Sequence, residues 1–294
     1  MKIPFDKISG IKVLKNERLS KYTSLHIGGN ADYFIKIYSK KALKKVLHII
    51  KKRRMKYIVI GAGTNLLVSD KGFRGVVIKL YGSFKEMNKR GGCFYCGGGV
   101  LVDTFLEKVR KVGYGGAEFL VGIPGTIGGG IKGNAGAFGR SFADVTEKIT
   151  IINEKIQEEK LENEKIGFAY RRSRIKNGSI IISANIRLTR KKKKEINAAM
   201  KRNLARRWQR QPTGYSAGSF FKNPPGCSAG GLIAECGLRG ERIGDAEVSR
   251  KHGNFIVNRG QATALDVVQL VRKVKKIVRE KTGILLKEEV KILK

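Results

Sequence analysis

Proline occurs only five times in the chain and tryptophan once. Acidic side chains are few, 24 Asp and Glu against 61 Lys and Arg, for a formal net charge of +37 at pH 7. Scarce proline, and glycine without a regular period, exclude collagen-like and proline-rich extended chains. No stretch reaches the roughly 18 uninterrupted apolar residues of a membrane span. The opening segment from Met1 to Lys7 lacks an apolar signal core. The reading is therefore a soluble, cytoplasmic protein without membrane insertion. His26, His48 and His252 are the only histidines and do not cluster, which argues against a metal site. The four cysteines, Cys93, Cys96, Cys227 and Cys236, are too few and too unevenly spaced for a disulfide framework or a zinc ribbon. Cys93 and Cys96 sit in an alternating apolar run that reads as a strand, so free thiols are expected.

What is abundant is positive charge and clustered glycine. A charge of +37 would suit a nucleic-acid binder or a membrane surface. It would also suit an enzyme of small polyanionic ligands whose surface is rich in lysine. The basic runs, such as Arg190-Lys191-Lys192-Lys193-Lys194, carry no interleaved aromatics, which favours solvated faces over base-stacking surfaces. The glycines gather near residues 61–63, 97–99, 115–139 and 226–231. Such clustering marks backbone that turns tightly or approaches a ligand closely.

Apolar spacing at Leu43, Val46, Leu47 and Ile50 predicts a helix over residues 41–54. Tyr57–Ile60 then reads as a buried strand running into Gly61-Ala62-Gly63-Thr64-Asn65, and Val76–Ile78 as another. A strand is expected over Phe94–Val102 and a helix over 103–112. Short strands follow at 149–152, 168–170 and 180–188, then a basic helix at 195–210. The helix at 264–281 shows an apolar stripe of Leu265, Val268, Val271, Ile277 and Val278. Ile284–Leu286 reads as a final strand segment leading to Val290–Leu293. Residues 115–139 are dense in glycine, apolar and nearly uncharged. They fit either a tightly packed core loop or a segment lying against a large flat ligand.

Gly61-Ala62-Gly63 is a partial dinucleotide fingerprint. The third glycine is replaced by Leu66 and no helix follows, so a phosphate-binding turn is plausible where a Rossmann domain is not. Arg171 and Arg172 are either a carboxylate clamp or a surface pair. Ser219, between Gly218 and Phe220, is outside any G-x-S-x-G elbow, which leaves a hydrolase triad unsupported. Glu288 and Glu289, read alone, are a surface pair.

Taken in order, eight segments closely resemble the UDP-N-acetylenolpyruvoylglucosamine reductases. They are Ile27-Gly28-Gly29, Gly61–Asp70, Glu118–Thr126, Asn134–Gly139, Tyr170-Arg171-Arg172-Ser173, Ser216–Pro224, Lys251–Asn258 and Leu286–Val290. The resemblance runs from about Thr23 to Ile292. It implies an α+β protein: an FAD-binding domain of the vanillyl-alcohol-oxidase type over 1–193, to which a strand at 284–294 returns, and a smaller α+β substrate-binding domain over 194–283. It looks like the shorter subtype without an inserted tyrosine loop.

The resemblance further implies non-covalent FAD, NADPH as reductant and a UDP-sugar as substrate. No nucleic acid, metal or membrane is required, and the chain is expected to be a monomer. By the same resemblance the flavin is held by Gly61, Ala62, Gly63, Thr64, Asn65, Leu66, Ile123, Pro124, Gly125, Thr126, Gly129, Asn134, Gly136 and Ala137. The substrate is held by Tyr170, Lys222, Asn223 and His252. Arg171 and Glu289 stabilise negative charge developing on the substrate carboxylate, and Ser219 protonates carbon. A neutral Glu289 would need its pKa raised, which burial can supply. A nucleic-acid-binding protein and a flavin oxidoreductase of another substrate are the alternatives. Two positions depart from the family pattern. Gly133 stands where a bulky residue is usual and could loosen flavin packing. Asp245 stands where a second glycine is usual and would matter if its turn needs φ > 0.

Overall fold

The computed structural model describes residue 5 and residues 7–293. The backbone falls into two compact units. The first takes the described residues up to Lys15, Tyr33–Ala62 and Gly75–Arg206. The second takes Asn16–Asp32, Gly63–Arg74 and the described residues from Arg207 onward. The expected division at 193/194 does not coincide with this one. A helix of 18 residues, Lys193–Arg210, runs across that position. The closing strand Lys291–Leu293 pairs in parallel with Leu66–Val68, and both count with the second unit.

One sheet, whose strands belong for the most part to the first unit, has the order Ile11–Arg18, Asn30–Ile37, Phe73–Leu80, Tyr57–Ile60. Its last two strands are parallel, with Tyr57 opposite Val76. The helix Lys40–Lys52 carries the expected stripe inward. Ala42, Leu43, Val46, Leu47 and Ile50 are buried in one core with Ile35, Ile37, Val76 and Ile78. Ser39 starts this helix by accepting the Ala42 N–H through its hydroxyl.

A second core of this unit lies on an antiparallel sheet ordered Glu158–Glu162, Thr146–Ile152, Ile180–Arg187, Cys93–Gly97, Met87–Arg90. The helix Val102–Lys111 adds Val102, Phe105, Leu106 and Val109 to that core. The strand expected over Phe94–Val102 therefore stops at Gly97. Beyond it the chain leaves the ladder, Gly98 N–H donating to Ile182 O and Gly99 N–H to Phe84 O. All four cysteines are free. Burial pushes the Cys96 thiol up to about 12, so it packs as a small apolar side chain.

The second unit holds a sheet ordered Tyr215–Ser219, Phe255–Asn258, Ala246–Val248, Arg242–Ile243, covered by the helices Ala229–Glu235 and Ala264–Thr282. The longer helix opens on a capping box of Thr263 and Asp266 and ends at Gly283, in the left-handed region at φ 72°. Asp70 also accepts its first N–H groups, Ala264 at 2.8 Å and Leu265 at 3.1 Å.

The expected stripe on this helix is corrected. Its buried face is Ala264, Val267, Leu270, Val271, Val274 and Val278, and Leu265 is 58% exposed. Apolar residues surround much of this helix, and packing rather than spacing chose the face. Two expected strands are also absent. Residues 168–170 lead into a tight turn, and 284–286 are an irregular run ahead of Lys291–Leu293.

Candidate active site

In the first unit, several of the expected site residues surround the turn that follows the strand Tyr57–Ile60. Gly61 is forced by proximity, since a Cβ there would lie 2.5 Å from Thr126 Oγ1. Thr126 is buried, and the same hydroxyl accepts Gly129 N–H at 3.2 Å, capping the short helix Ile127–Lys132. Neither Gly61 nor Ala62 donates a backbone hydrogen bond within the described residues, and neither do Gly125 and Thr126. Unpaired N–H groups on a glycine-rich turn suit an anion, because a buried or half-buried donor without a partner is costly. Ile123 and Ala137 are half-buried, and Pro124 and Gly129 are exposed, leaving surface for a ligand to cover.

Asn134 sits differently from its expected contact role. It is 7% exposed at φ 44°, and its amide is spent on the protein. Nδ2 donates to Ala169 O at 3.0 Å, and Oδ1 accepts Ala143 N–H at 3.0 Å. It shapes the segment carrying Gly136. The departure at Gly133 is harmless to the backbone. Its φ is −91°, and an added Cβ would meet only Gly129 O, at 3.6 Å.

Arg171 lies in a tight turn closed by Ala169 and Arg172, which exchange both backbone hydrogen bonds. The strand expected at 168–170 is thus replaced by a turn. Arg171 is half-buried at φ 54°, and the turn itself aims it. Its Nη1 donates to Gly136 O at 2.9 Å, while Arg172 is exposed. Ser173 Oγ fastens the same turn to Lys132 O at 2.9 Å. Three hydrogen bonds, through Asn134, Arg171 and Ser173, therefore hold the Tyr-Arg-x-Ser turn against residues 132–136. Tyr170 is 56% exposed, with the Arg171 guanidinium 5.5 Å from its ring centre.

The second unit holds other expected site residues, described by themselves. Gly63, at φ 70°, packs so closely on Tyr22 O that no Cβ fits there. Gly63 and Asn65 also donate no backbone hydrogen bond within the described residues. Asn65 Nδ2 donates to Glu289 O at 3.2 Å, and Lys291 N–H to Asn65 O, at the same length. Thr64 and Leu66 are half-buried beside them.

Ser219 ends its strand opposite Phe255, after Gly218 at φ 75°. It is half-buried, and its hydroxyl makes no hydrogen bond within the described residues. The next residue ties it to the glutamate. Phe220 O accepts Glu289 N–H at 2.8 Å, and Phe221 bridges Glu288. Ser219 and Glu289 thus stand on adjoining backbone. Glu288, the neighbour that alternation sends elsewhere, pairs with Lys275 at 2.7 Å. Burial pushes its carboxyl up, but hydrogen bonds from Lys275 and its own backbone prevail and hold it low.

Lys222 is half-buried without a carboxylate partner among the described residues. Asn223 Oδ1 accepts Ala229 N–H at 3.1 Å. His252 accepts Asn254 N–H on Nδ1 at 3.1 Å. Burial, then the nearby Arg239 and Arg210 charges, lower its pKa. The ring is therefore neutral at pH 7 with its proton on Nε2, which is left as the donor. Asp245 does not need a positive φ; Gly244, at φ 52°, takes that position. Asp245 instead accepts Gln261 N–H at 2.8 Å and pairs with Arg242.

Sequence reasoning missed Asn254, Ser173 and Asp70 as organisers, although each lies in or beside a quoted segment. Their signal was a small polar residue within an otherwise apolar or glycine-rich motif. Elsewhere, an open cleft of about 430 Å³ is lined by Val112, Gly113 and Arg190–Lys193 and contains none of the expected site residues. Among the described residues, no group of His, Cys, Asp or Glu could hold a metal ion, and no helix is long and apolar enough to cross a membrane.

The donor-rich glycine turns fit the phosphates of a flavin dinucleotide, and the half-buried apolar run at 122–137 fits a flat ring system. Known proteins agree. Residues 31–155 match the FAD binding domain family, and residues 210–293 match the C-terminal domain of UDP-N-acetylenolpyruvoylglucosamine reductase. The reductase 2 of Symbiobacterium thermophilum is 41% identical over 283 residues, 96% of this chain and 92% of that one. The reductase of Bacillus subtilis is 42% identical over 287 residues, 96% of this chain and 94% of that one. The crystal structure of the Thermus caldophilus enzyme superposes with a TM-score of 0.85 at 36% identity, covering 97% of this chain and 99% of that one. The fold is α+β with an FAD binding domain, and by identity over nearly its whole length this chain belongs to the UDP-N-acetylenolpyruvoylglucosamine reductase family.

Proposed function

We propose that this protein reduces the enolpyruvyl ether of UDP-N-acetylglucosamine to UDP-N-acetylmuramate, a step of peptidoglycan precursor synthesis, with non-covalent FAD and NADPH. The observation that supports the reading is the 2.8 Å bond from Glu289 N–H to Phe220 O, which joins the backbone of Glu289 to the residue that follows Ser219. When bound and reduced by NADPH, FAD would supply a hydride for the methylene carbon of the enolpyruvyl group. The reaction adds that hydride and one proton across a carbon–carbon double bond.

The residues of this chain do the rest. Negative charge spreads into the substrate carboxylate as the hydride adds, and the Arg171 guanidinium meets it. Glu289, in its neutral form, donates a hydrogen bond to the same carboxylate. Ser219 Oγ–H delivers the proton to the α-carbon. Lys222 and the His252 Nε2–H, both free of acidic partners, hold the diphosphate, and Asn223 and Tyr170 complete the substrate contacts. Gly61–Leu66, Ile123–Thr126, Gly129, Gly136 and Ala137 cradle the flavin, with Asn134 shaping that wall.

The functional division is flavin binding over 1–193 with the returning strand 284–294, and substrate binding over 194–283. The protein acts as a cytoplasmic monomer. The test is turnover of the purified protein. NADPH should be consumed only when the enolpyruvyl sugar is present, and the product should be heavier by two hydrogens. Acid precipitation should release all yellow colour into the supernatant. Colourless protein, or colour retained in the pellet, refutes the reading.

A further inference from the structure

We infer that Asn254 is a positioning residue for Ser219 and Glu289, standing in for a stretch of backbone that the sheet lacks. The inference rests on the proposed roles of those two residues. It starts from an interrupted ladder. Ser219 pairs with Phe255, so the next partner of Phe221 would be residue 253. The chain there is not a strand. Residues 249–255 form a turn in which Phe255 N–H donates to His252 O at 3.0 Å and Ser249 N–H to Phe255 O at 2.8 Å. Phe221 would be left with an unpaired N–H and C=O in a buried place, since it is 2% exposed.

The Asn254 amide supplies both missing groups. Its Oδ1 accepts Phe221 N–H at 2.8 Å, and its Nδ2 donates to Phe221 O at 2.8 Å. Its own backbone oxygen accepts Phe220 N–H, again at 2.8 Å. The side chain is 3% exposed, so these bonds are made without competition from water. On the other edge of the same segment, Phe220 O receives Glu289 N–H, and Lys222 N–H donates to Lys287 O at 2.8 Å. Residues 220–222 are thus clamped between Asn254 and the strap at 287–290. Ser219 lies one residue before the clamp, and Glu289 is hydrogen-bonded to it. Removing the amide frees the edge that fixes the spacing of proton donor and carboxyl. A misplacement of about 1 Å costs on the order of a hundredfold in rate.

The role depends on one donor and one acceptor in a plane. A carboxylate offers two acceptors and repels Phe221 O, but a protonated carboxyl again offers one donor and one acceptor. Asn254→Asp is therefore the decisive variant, because pH can switch the same folded protein between the two. The charged and titratable groups around the clamp are Arg250, Lys251 and His252 on its own turn, Arg210 and Arg239 beside the His252 ring, Lys222, Lys287, Glu288 and Glu289 on the facing segments, and Lys275 paired with Glu288. All are present in the parent protein, so each rate is taken as the ratio of variant to parent at the same pH.

Stopped-flow absorbance of the FAD-loaded protein reads the two half-reactions separately. At pH 8, flavin reduction by NADPH should stay within about threefold of the parent. Reoxidation by the enolpyruvyl sugar should fall about 10- to 100-fold. At pH 5.5 the reoxidation ratio should recover at least severalfold. A ratio near one at both values, or an equal loss in both half-reactions that pH does not reverse, overturns the inference. Ser219→Ala is measured alongside. If it leaves reoxidation intact, the proposed role of Ser219 fails. If it slows reoxidation while Asn254→Asp does not, the clamp alone fails.

Discussion

Arg171 offers the sharpest separation of folding from chemistry, because its backbone and its side chain can be removed independently. The residue sits at φ 54° in the turn Ala169–Arg172, where its Nη1 reaches Gly136 O at 2.9 Å. An L-residue in the left-handed region carries a cost of roughly 1–2 kcal/mol that glycine does not. Losing the guanidinium costs the hydrogen bond to Gly136, about 1.5–3 kcal/mol for a charged donor. Arg171→Ala keeps the backbone cost and loses the bond, so it should be destabilised by that amount. Arg171→Gly loses the bond but is relieved of the left-handed cost, so it should unfold at a higher temperature than Arg171→Ala.

Activity should not follow that order. Removing one donor aimed at developing charge costs about 10²–10³-fold. Both variants should therefore turn over the enolpyruvyl sugar at least about a hundredfold more slowly. Arg171→Lys should recover little, since a point charge does not copy the planar fork. Arg172 is exposed, and Arg172→Ala should change turnover less than about threefold. Thermal unfolding and steady-state kcat, measured on all four variants, decide the matter. A glycine variant no more stable than the alanine variant refutes the strained turn. An essential Arg172 beside a dispensable Arg171 refutes the assignment of the motif.

Three further outcomes are expected. Ser219→Ala should spare flavin reduction by NADPH and slow reoxidation by the substrate about 10²–10⁴-fold, the range for a general acid, and equal slowing of both steps in stopped flow contradicts that role. Converting Lys191–Lys194 to Gln should leave both Michaelis constants within about twofold at 0.15 M salt, because exposed charge beyond about 8 Å is screened; a tenfold rise would place that run in a binding surface. Arg259 donates to Glu247 at 2.7 and 3.0 Å, and these bonds hold the Glu247 carboxyl below its usual range. The stability this gives is present above the unfolded carboxylate pKa and disappears as pH falls through the lower folded value. Arg259→Ala should thus cost about 1.5–3 kcal/mol near pH 7 in urea unfolding, with the gap closing in acid; a gap that widens in acid contradicts the pairing.

The sequence was most legible where one residue type admits one reading. The stripe Leu43, Val46, Leu47, Ile50 names its own helix face because lysines fill the rest of that helix. The helix Ala264–Thr282 was legible in extent, since Thr263 and Gly283 mark its ends, but not in face. With Leu265, Val267, Val268, Leu270, Val271 and Val274 all apolar, two overlapping stripes compete, and only the facing sheet selects one. Tyr170–Ser173 misled for a related reason. A short apolar lead into two arginines looks like strand, and nothing local announces that Arg171 adopts a positive φ.

By itself the sequence determined the order of the motifs, the glycines without which Thr126 Oγ1 and Tyr22 O could not approach, and so the family. These depend on local sterics and on residue identity, which a linear chain carries in full. The tertiary structure alone decided that Phe220 meets Glu289, 69 positions later, and that the Asn254 amide replaces a missing strand. Such pairings arise when buried backbone groups with no local partner must find one across the fold, and a sequence records the groups but not which of them will meet.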